Sequence, residues 1–135
     1  MESLRDIINA NPLLVLSDAS IDSVLKKMIR QKVSSALVIT GSSGVVVGIV
    51  TERDVLRKIS ILDLEKKFDY RISTIMSPKV YFVHIDSLEA DITQLHGEKK
   101  KRHFPVLYEP GDPSVDNIAG LITVTDICRK YLDEI

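Results

Sequence analysis

Two short segments of the sequence share one pattern of residues whose side chains could hold a polar ligand. Residues 48–54 and 120–126 both read glycine, two apolar residues, threonine, two further residues and aspartate. A carboxylate has two acceptor oxygens and can take both hydroxyls of a ribose diol, each charge-assisted hydrogen bond contributing about 1.5 to 3 kcal/mol. A threonine hydroxyl and the free amides of a helix N-terminus suit an adjoining phosphate. The residues that carry this chemistry are Thr51, Asp54, Thr123 and Asp126.

The same threonine and aspartate pairs also fit a purely structural role. A hydroxyl that accepts from the third amide of a helix, with an acid that reaches back to the cap, forms a capping box. The usual back-reaching residue is Glu or Gln, however, and each pair here follows a buried strand. The helix then begins at the carboxyl end of that strand, where ligands tend to bind in mixed α/β folds. Both roles stay open, and Gly48 and Gly120 are expected to let a ligand approach the backbone.

The first half of the chain predicts the order strand, helix, strand, strand, helix. Its first helix has one apolar face and Ser20 placed to cap it. A strand at 36–39 leads through a glycine-rich turn to a buried strand at 45–50, and a second helix begins near Thr51. The residues expected to be buried by the two helices are Ile21, Val24, Leu25, Met28, Ile29, Val55, Leu56 and Ile59.

The second half repeats this order, with strands at 104–107 and 118–122 and a longer turn between them. A unit of this size has too little core to fold well alone, so the two copies are expected to share one domain. In its first helix, Asp91 and His96 take the places of Val24 and Ile29. These polar residues either lie on the more exposed rim of a rotated helix or face a partner or a ligand. The apolar helix positions of this half are Leu88, Ile92, Leu95, Ile127 and Tyr131.

The composition is that of an ordinary soluble domain. The chain has 135 residues, of which 44% are apolar and 27% charged, and a formal net charge of -1. Nucleic acids and anionic membranes select a basic excess, so this balance argues against both as main partners. The densest apolar run, 45–50, is far shorter than the ~20 residues that span a bilayer. Cys128 is the only cysteine, which excludes a disulfide framework and fits a reducing, cytoplasmic compartment.

The sequence resembles a tandem pair of CBS domains, also known as a Bateman module. The resemblance covers about residues 4–131 and rests on segments 48–54 and 120–126, on Met76-Ser77-Pro78, and on the Arg-x-x-Pro-Val-like segment 102–106. It implies an α/β (α+β) fold with repeats at 1–60 and 71–135, joined by a connector at 61–70. It also implies that two sheets pack about a pseudo-twofold axis and leave two related clefts.

The resemblance further implies an adenosyl ligand: AMP, ADP or ATP, or S-adenosylmethionine or one of its relatives. By the family pattern, Asp54 and Asp126 hold the ribose. The expected ribose or phosphate contacts are Thr51, Thr123, Arg102, His103, Ser34 and Ser35. The expected base contacts are Leu14, Val15, Leu16, Val80, Tyr81, Phe82, Ile49 and Leu121.

The two clefts are expected to differ in charge, because Ser34 and Ser35 stand where the second copy has Arg102 and His103. We interpret the chain as a regulatory module with no catalytic activity, catalytic cofactor or metal, which forms a homodimer and signals to an unidentified partner. The alternatives are an assembly module with vacant clefts, a small enzyme, and nucleic-acid binding through the lysine cluster. No nucleophile and base pair is discernible to favour the enzyme, and the balanced charge disfavours nucleic acid.

Overall fold

The chain forms two compact units, each built around one small sheet. The computed structural model describes residues 3–59, 69–99 and 101–133. Residues 13–80 make up the first unit, and residues 81–135 together with 1–12 make up the second unit. The elements of the first unit are β1 (Leu14–Leu16), α1 (Ile21–Gln31), β2 (Ser35–Ile39), β3 (Val46–Thr51) and α2 (Glu52–Ile59). Those of the second unit are β4 (Val83–His84), α3 (Leu88–Lys99), β5 (His103–Leu107), β6 (Ile118–Thr123) and α4 (Val124–Asp133).

The sheets of the two units have the same topology. In the first unit β1 pairs in parallel with β2, which pairs antiparallel with β3, and β4, β5 and β6 repeat this arrangement in the second unit. The register places Ser35 opposite Thr51, and His103 opposite Thr123. The predicted α/β fold with a repeated strand, helix, strand, strand, helix order is therefore confirmed. Each Thr-x-x-Asp motif lies where the third strand of its sheet passes directly into a helix.

The start of α1 is also as predicted. The Ser20 hydroxyl accepts a hydrogen bond from the amide of Ser23 at 3.1 Å, which satisfies one of the free amides of the first turn. The helix ends at Lys32, whose φ of 55° and ψ of 44° place it in the left-handed region. Among the described residues, no helix is long and apolar enough to cross a membrane.

A short segment lies across the third strand of each sheet. In the first unit, Ile49 and Ser77 exchange two backbone hydrogen bonds of 3.0 and 2.8 Å. In the second unit, Asn9 and Leu121 exchange two of 2.9 Å. A 3-10 helix precedes each crossing segment, at Ile72–Thr74 and Leu4–Ile7. Each unit therefore contains a segment that comes from the beginning of the other sequence repeat.

These crossing segments explain Gly48 and Gly120. A Cβ atom at Gly48 would lie 2.4 Å from the Sδ atom of Met76, and one at Gly120 would lie 2.3 Å from the carbonyl oxygen of Asn9. Both distances are far shorter than a van der Waals contact. We expected the glycines to let a ligand approach the backbone. On the side where a Cβ atom would project, this expectation is wrong, because Met76 and Asn9 already fill the space.

The compact units are defined by contacts in space, so their limits differ from those of the sequence repeats. The repeats at 1–60 and 71–135 stay a prediction from the sequence. The predicted connector at 61–70 lies outside the described residues as far as residue 68.

Each unit has its own apolar core. Buried residues of the first core include Val24, Met28, Val38, Val50 and Ile72. Buried residues of the second core include Val83, Leu88, Phe104, Val106 and Ile122. Burial of each such side chain contributes about 1.5 to 3 kcal/mol relative to its exposure, so the two clusters account for much of the stability of the units.

Three helix residues that were expected to be buried are exposed. Ile29 is 75% exposed because it lies about 100° around α1 from the centre of the stripe formed by the buried residues. Leu56 is 68% exposed because it lies one residue, or about 100°, from the buried Val55. Tyr131 is 69% exposed; it shares a face with Val124, but α4 carries it about 10 Å farther from β6. The side chain of Ile59 lies outside the described residues.

Candidate functional site

The first Thr-x-x-Asp motif forms a closed set of hydrogen bonds at the junction of β3 and α2. Oδ2 of Asp54 accepts from the backbone amide of Thr51 at 2.8 Å and from the Thr51 hydroxyl at 3.1 Å. The amide of Asp54 donates to the same hydroxyl oxygen at 3.3 Å. This is a capping box in which aspartate replaces the usual Glu or Gln. The structural role predicted for the pair is confirmed.

The second motif forms the same box with one bond fewer. The amide of Thr123 donates to Oδ2 of Asp126 at 3.1 Å, and the amide of Asp126 donates to the Thr123 hydroxyl at 3.1 Å. No described residue accepts the Thr123 hydroxyl proton. That proton therefore remains available to an acceptor such as a phosphate oxygen, whereas Thr51 already gives its hydroxyl proton to Asp54.

Both carboxylates keep acceptor capacity in spite of their capping role. Asp54 and Asp126 are half-buried, and among the described residues none donates to the Oδ1 atom of either. Each oxygen of a carboxylate can accept two hydrogen bonds. The capping box fixes the carboxylate at the end of the strand and leaves Oδ1 for a ligand, so capping and ribose binding are compatible.

The segment that precedes the middle strand lies beside each helix N-terminus. In the second unit the amide of Val124 donates to the carbonyl of Arg102 at 2.9 Å, and in the first unit the amide of Glu52 donates to the carbonyl of Ser34 at 3.0 Å. The structure thus places Arg102 and Ser34 at equivalent positions, which agrees with the sequence alignment. Both side chains are exposed, whereas that of Ser35 is buried at 5% exposure.

The two helix N-termini differ in charge. The first turn of α2 carries Arg53 between the acidic residues Glu52 and Asp54, and that of α4 carries Asp126, so the difference lies in the segment beside each turn. Lys101 and Arg102 precede β5 on the segment next to α4. The second unit therefore offers an anion a more favourable position than the first.

The residues predicted to contact the base differ in exposure. Val15, Ile49 and Leu121 are buried, and Leu16 is 47% exposed. The remaining residues of this set are half-buried: Leu14, Val80, Tyr81 and Phe82. Successive side chains of a strand point to opposite faces, which is why Val15 enters the core between two more accessible neighbours. The more accessible members of the set are therefore better placed to meet a base.

Lys101 is a contact that the sequence did not single out. Its ammonium lies 5.2 Å from the centroid of the Tyr81 ring, within the range of a cation–π interaction. A basic run before a strand gives no indication of which lysine meets which ring. The structure thus brings a cation against one of the aromatic residues that were predicted to contact the base.

Comparison with known proteins agrees with this architecture. The CBS domain family model matches residues 4–61. The crystal structure of the CBS-domain protein NE2398 is 26% identical, covers 98% of this chain and 99% of its own, and superposes with a TM-score of 0.78. The chain has the fold of a tandem pair of CBS domains. Its two units have matching sheets and one Thr-x-x-Asp box each.

Two further relatives bear on this similarity. The mitochondrial CBS domain-containing protein CBSX3 of Arabidopsis thaliana is 26% identical over 99% of the chain, and the chain spans 63% of its length. The CBS domain pair of protein MJ0100, solved in complex with 5′-methylthioadenosine and S-adenosyl-L-methionine, is 21% identical with a TM-score of 0.76. The alignment with MJ0100 covers 94% of this chain and 97% of that one, and at this identity it supports the fold alone.

The polar residues of α3 have partners within the second unit of the module. Oδ2 of Asp91 accepts hydrogen bonds of 2.9 Å from the amide of His84 and from the hydroxyl of Ser87. Nδ1 of His96 lies 3.1 Å from the carbonyl of Lys101. Asp91 is half-buried rather than part of an exposed rim, and it ties α3 to β4.

Proposed function

We propose that this CBS-domain module binds adenosine nucleotides through Asp54 and Asp126 and acts as a regulatory sensor rather than as an enzyme. The observation that carries the proposal is that each aspartate is held by a capping box at a strand end with its Oδ1 atom left to accept further hydrogen bonds. A fixed acceptor loses little side-chain entropy when a ribose diol binds. The proposed ligand is AMP, ADP or ATP.

The second unit is the proposed phosphate-binding half. Thr123 has a hydroxyl proton to donate, α4 contributes the positive end of its dipole, and Arg102 lies next to its first turn. Lys101, which packs against Tyr81, adds a second positive charge. The combination of a fixed carboxylate with cations nearby suits a nucleotide that presents a diol at one end and a phosphate at the other.

The first unit suits an adenosyl ligand without phosphate. The first turn of α2 carries Arg53 between Glu52 and Asp54, and the residue beside this turn is the neutral Ser34 rather than a cation. A phosphate therefore finds less positive charge there than in the second unit, whereas the carboxylates of Glu52 and Asp54 can attract a sulfonium such as that of S-adenosylmethionine. The precedent for this second candidate is the shared fold, since the CBS domain pair of MJ0100 was solved in complex with 5′-methylthioadenosine and S-adenosyl-L-methionine.

We propose that the chain forms a homodimer and that ligand binding changes a surface which a partner protein recognises. Tyr131 and Leu132 on α4 are each 69% exposed, and Leu56 on α2 is 68% exposed. Tyr is enriched at protein interfaces, and exposed leucines beside it add apolar area that a partner can cover. Ligand that binds at the N-terminus of α4 therefore acts on the helix whose other end carries two of these residues.

Isothermal titration calorimetry with AMP, ADP, ATP and S-adenosylmethionine tests the proposal. Asp54→Asn and Asp126→Asn keep a carbonyl oxygen for the capping box but remove the charge, so each is expected to weaken binding at its own motif by about tenfold or more. The control is Asp116→Asn, an exposed change in the second unit. The proposal fails if no ligand binds at submillimolar concentration, or if both variants bind like the wild type. The alternative function, an assembly module with vacant clefts, would then be favoured.

A further inference from the structure

A small cavity in the second unit lies apart from both Thr-x-x-Asp motifs. Its volume is about 130 Å³. Its walls are formed by β4 and by the residues Phe82, Asp91, Leu107, Pro110 and Gly111. Leu107 is the last residue of β5, whereas Thr123 pairs with His103, the first. The cavity is therefore at the opposite end of the sheet from Thr123, although its wall includes Phe82, one of the predicted base contacts.

Asp91 presents an available carboxylate oxygen at this cavity. Its Oδ2 atom is held by the amide of His84 and the hydroxyl of Ser87. No described residue donates to Oδ1, and among the described side chains no fully buried polar atom lacks a partner. Oδ1 is consequently open to the cavity or to solvent. The carboxylate is thus fixed in position and still able to accept from a ligand.

The loop at 108–117 forms the other side of the cavity, and the buried side chain of Asn117, 8% exposed, holds it in place. Its Oδ1 accepts from the amide of Glu109 at 3.0 Å, and its Nδ2 donates to the carbonyls of Glu109 and Asp112 at 2.7 Å each. The Ser114 hydroxyl and amide lower the pKa of the Asp112 carboxyl from its ordinary 3.8. These bonds hold Pro110 and Gly111 in place without a ligand, which reduces the entropy lost on binding.

His84 joins the two sides of the cavity. Its Nε2 atom lies 2.9 Å from the carbonyl of Tyr108, and because a carbonyl only accepts, Nε2 carries a proton. Asp86 lies 3.7 Å from the same nitrogen and also pairs with Arg5. The His84 ring therefore uses its Nε2 proton to bond the loop at Tyr108. Asp91 is the acidic residue of the cavity wall.

We infer that this cavity binds a compact organic cation, such as a free ammonium, amidinium or guanidinium compound, with Asp91 as its counterion. The wall beside the half-buried carboxylate is partly apolar, at Phe82, Leu107 and Pro110, and apolar surroundings strengthen the attraction of a carboxylate for a positive charge. An aromatic wall residue also suits a cation. The volume corresponds to about four water molecules, which is the size of such a group.

In the described part of the first unit, no carboxylate stands at the position of Asp91. Val24, which is fully buried, takes the place of Asp91, and the turn at 40–45 is shorter than the loop at 108–117. The cation site is therefore specific to the second repeat. Asp91, which stands where the first repeat has Val24, would thus bind a ligand in addition to its contacts with β4.

Nuclear magnetic resonance of the full ¹⁵N-labelled chain tests this inference with acetamidinium chloride. We expect saturable shifts at the amides of His84, Asp91 and Gly111, and no such shifts with the neutral isostere acetamide or with sodium chloride at equal ionic strength. Equal shifts with acetamide, shifts that do not saturate, or no shifts would overturn the inference. This comparison uses the wild-type protein and depends on no variant.

Asp91→Asn supplies the second arm of the test. It retains a carbonyl oxygen for the amide of His84 but removes the charge, and it is expected to weaken acetamidinium binding at least tenfold. Asp116→Asn is the matched control and should bind like the wild type. An Asp91→Asn variant with unchanged affinity would contradict the assignment. Asp126→Asn should retain the acetamidinium response, so the outcome is independent of the proposed nucleotide site.

Discussion

The carboxylate of Asp54 accepts two hydrogen bonds from Thr51, one from its amide at 2.8 Å and one from its hydroxyl at 3.1 Å. Both reach the same oxygen, Oδ2. The pair therefore stabilises the start of α2 and leaves Oδ1 to accept hydrogen bonds from other donors. One aspartate serves the fold and the proposed ligand at the same time, so its variants have to be judged by stability and by binding separately.

Removal of the capping carboxylates should cost different amounts of stability. Asp54→Ala removes two hydrogen bonds from Oδ2 and Asp126→Ala removes one, so we expect losses of about 2 and about 1 kcal/mol in the free energy of unfolding. Urea denaturation followed by circular dichroism measures both. Asp18→Ala, an exposed change in the first unit, is the control. A larger loss for Asp126→Ala would contradict the bonding pattern.

Substitution of the motif glycines should destabilise the units without any ligand. Gly48→Ala and Gly120→Ala place a methyl group against Met76 and against the backbone of Asn9, and each should cost about 1 to 3 kcal/mol. Gly97→Ala is the control, because its Cβ would meet nothing within 4 Å on an exposed helix position. It should instead stabilise by about 0.5 to 1 kcal/mol. Thermal unfolding of the three variants distinguishes packing from ligand access as the role of the motif glycines.

Arg102 should distinguish phosphorylated from uncharged adenosyl ligands. Arg102→Ala is expected to reduce ATP affinity by about tenfold, since one charge-assisted contact is lost, and to leave 5′-methylthioadenosine unaffected. Calorimetry at two salt concentrations measures the effect, which should diminish at high salt. Arg129→Ala, an exposed change on α4, is the control. Equal losses for both ligands would show that Arg102 does not meet phosphate.

Asn117 should be the most sensitive residue of the loop at 108–117. Asn117→Ala leaves the amide and carbonyl of Glu109 and the carbonyl of Asp112 without the partner they now have, which should cost about 1 to 3 kcal/mol. Hydrogen exchange of the loop amides should accelerate as well. Asn11→Ala, at an exposed position, should change neither quantity. An unaltered exchange rate at Glu109 would contradict the ordering role of Asn117.

Much of the architecture followed from the sequence because it depends on local patterns. The period of apolar residues predicted α1, the Ser20 cap was correct, and the strand order repeated in both halves as expected. The alignment of Ser34 with Arg102 also agrees with the structure, because both precede the middle strand at the same register. Burial was less predictable: Ile29 fits the helical period but lies beyond the face that the sheet covers.

The sequence by itself determined the two repeats, their elements and the Thr-x-x-Asp motifs, because propensity, periodicity and capping act between residues close in the chain. Only the tertiary structure decided what lies against those motifs. It placed Met76 over Gly48 and Asn9 over Gly120, held Lys101 against Tyr81, and set Asp91 in the wall of a cavity. These contacts join residues distant in sequence, and they depend on how whole elements pack rather than on any local pattern.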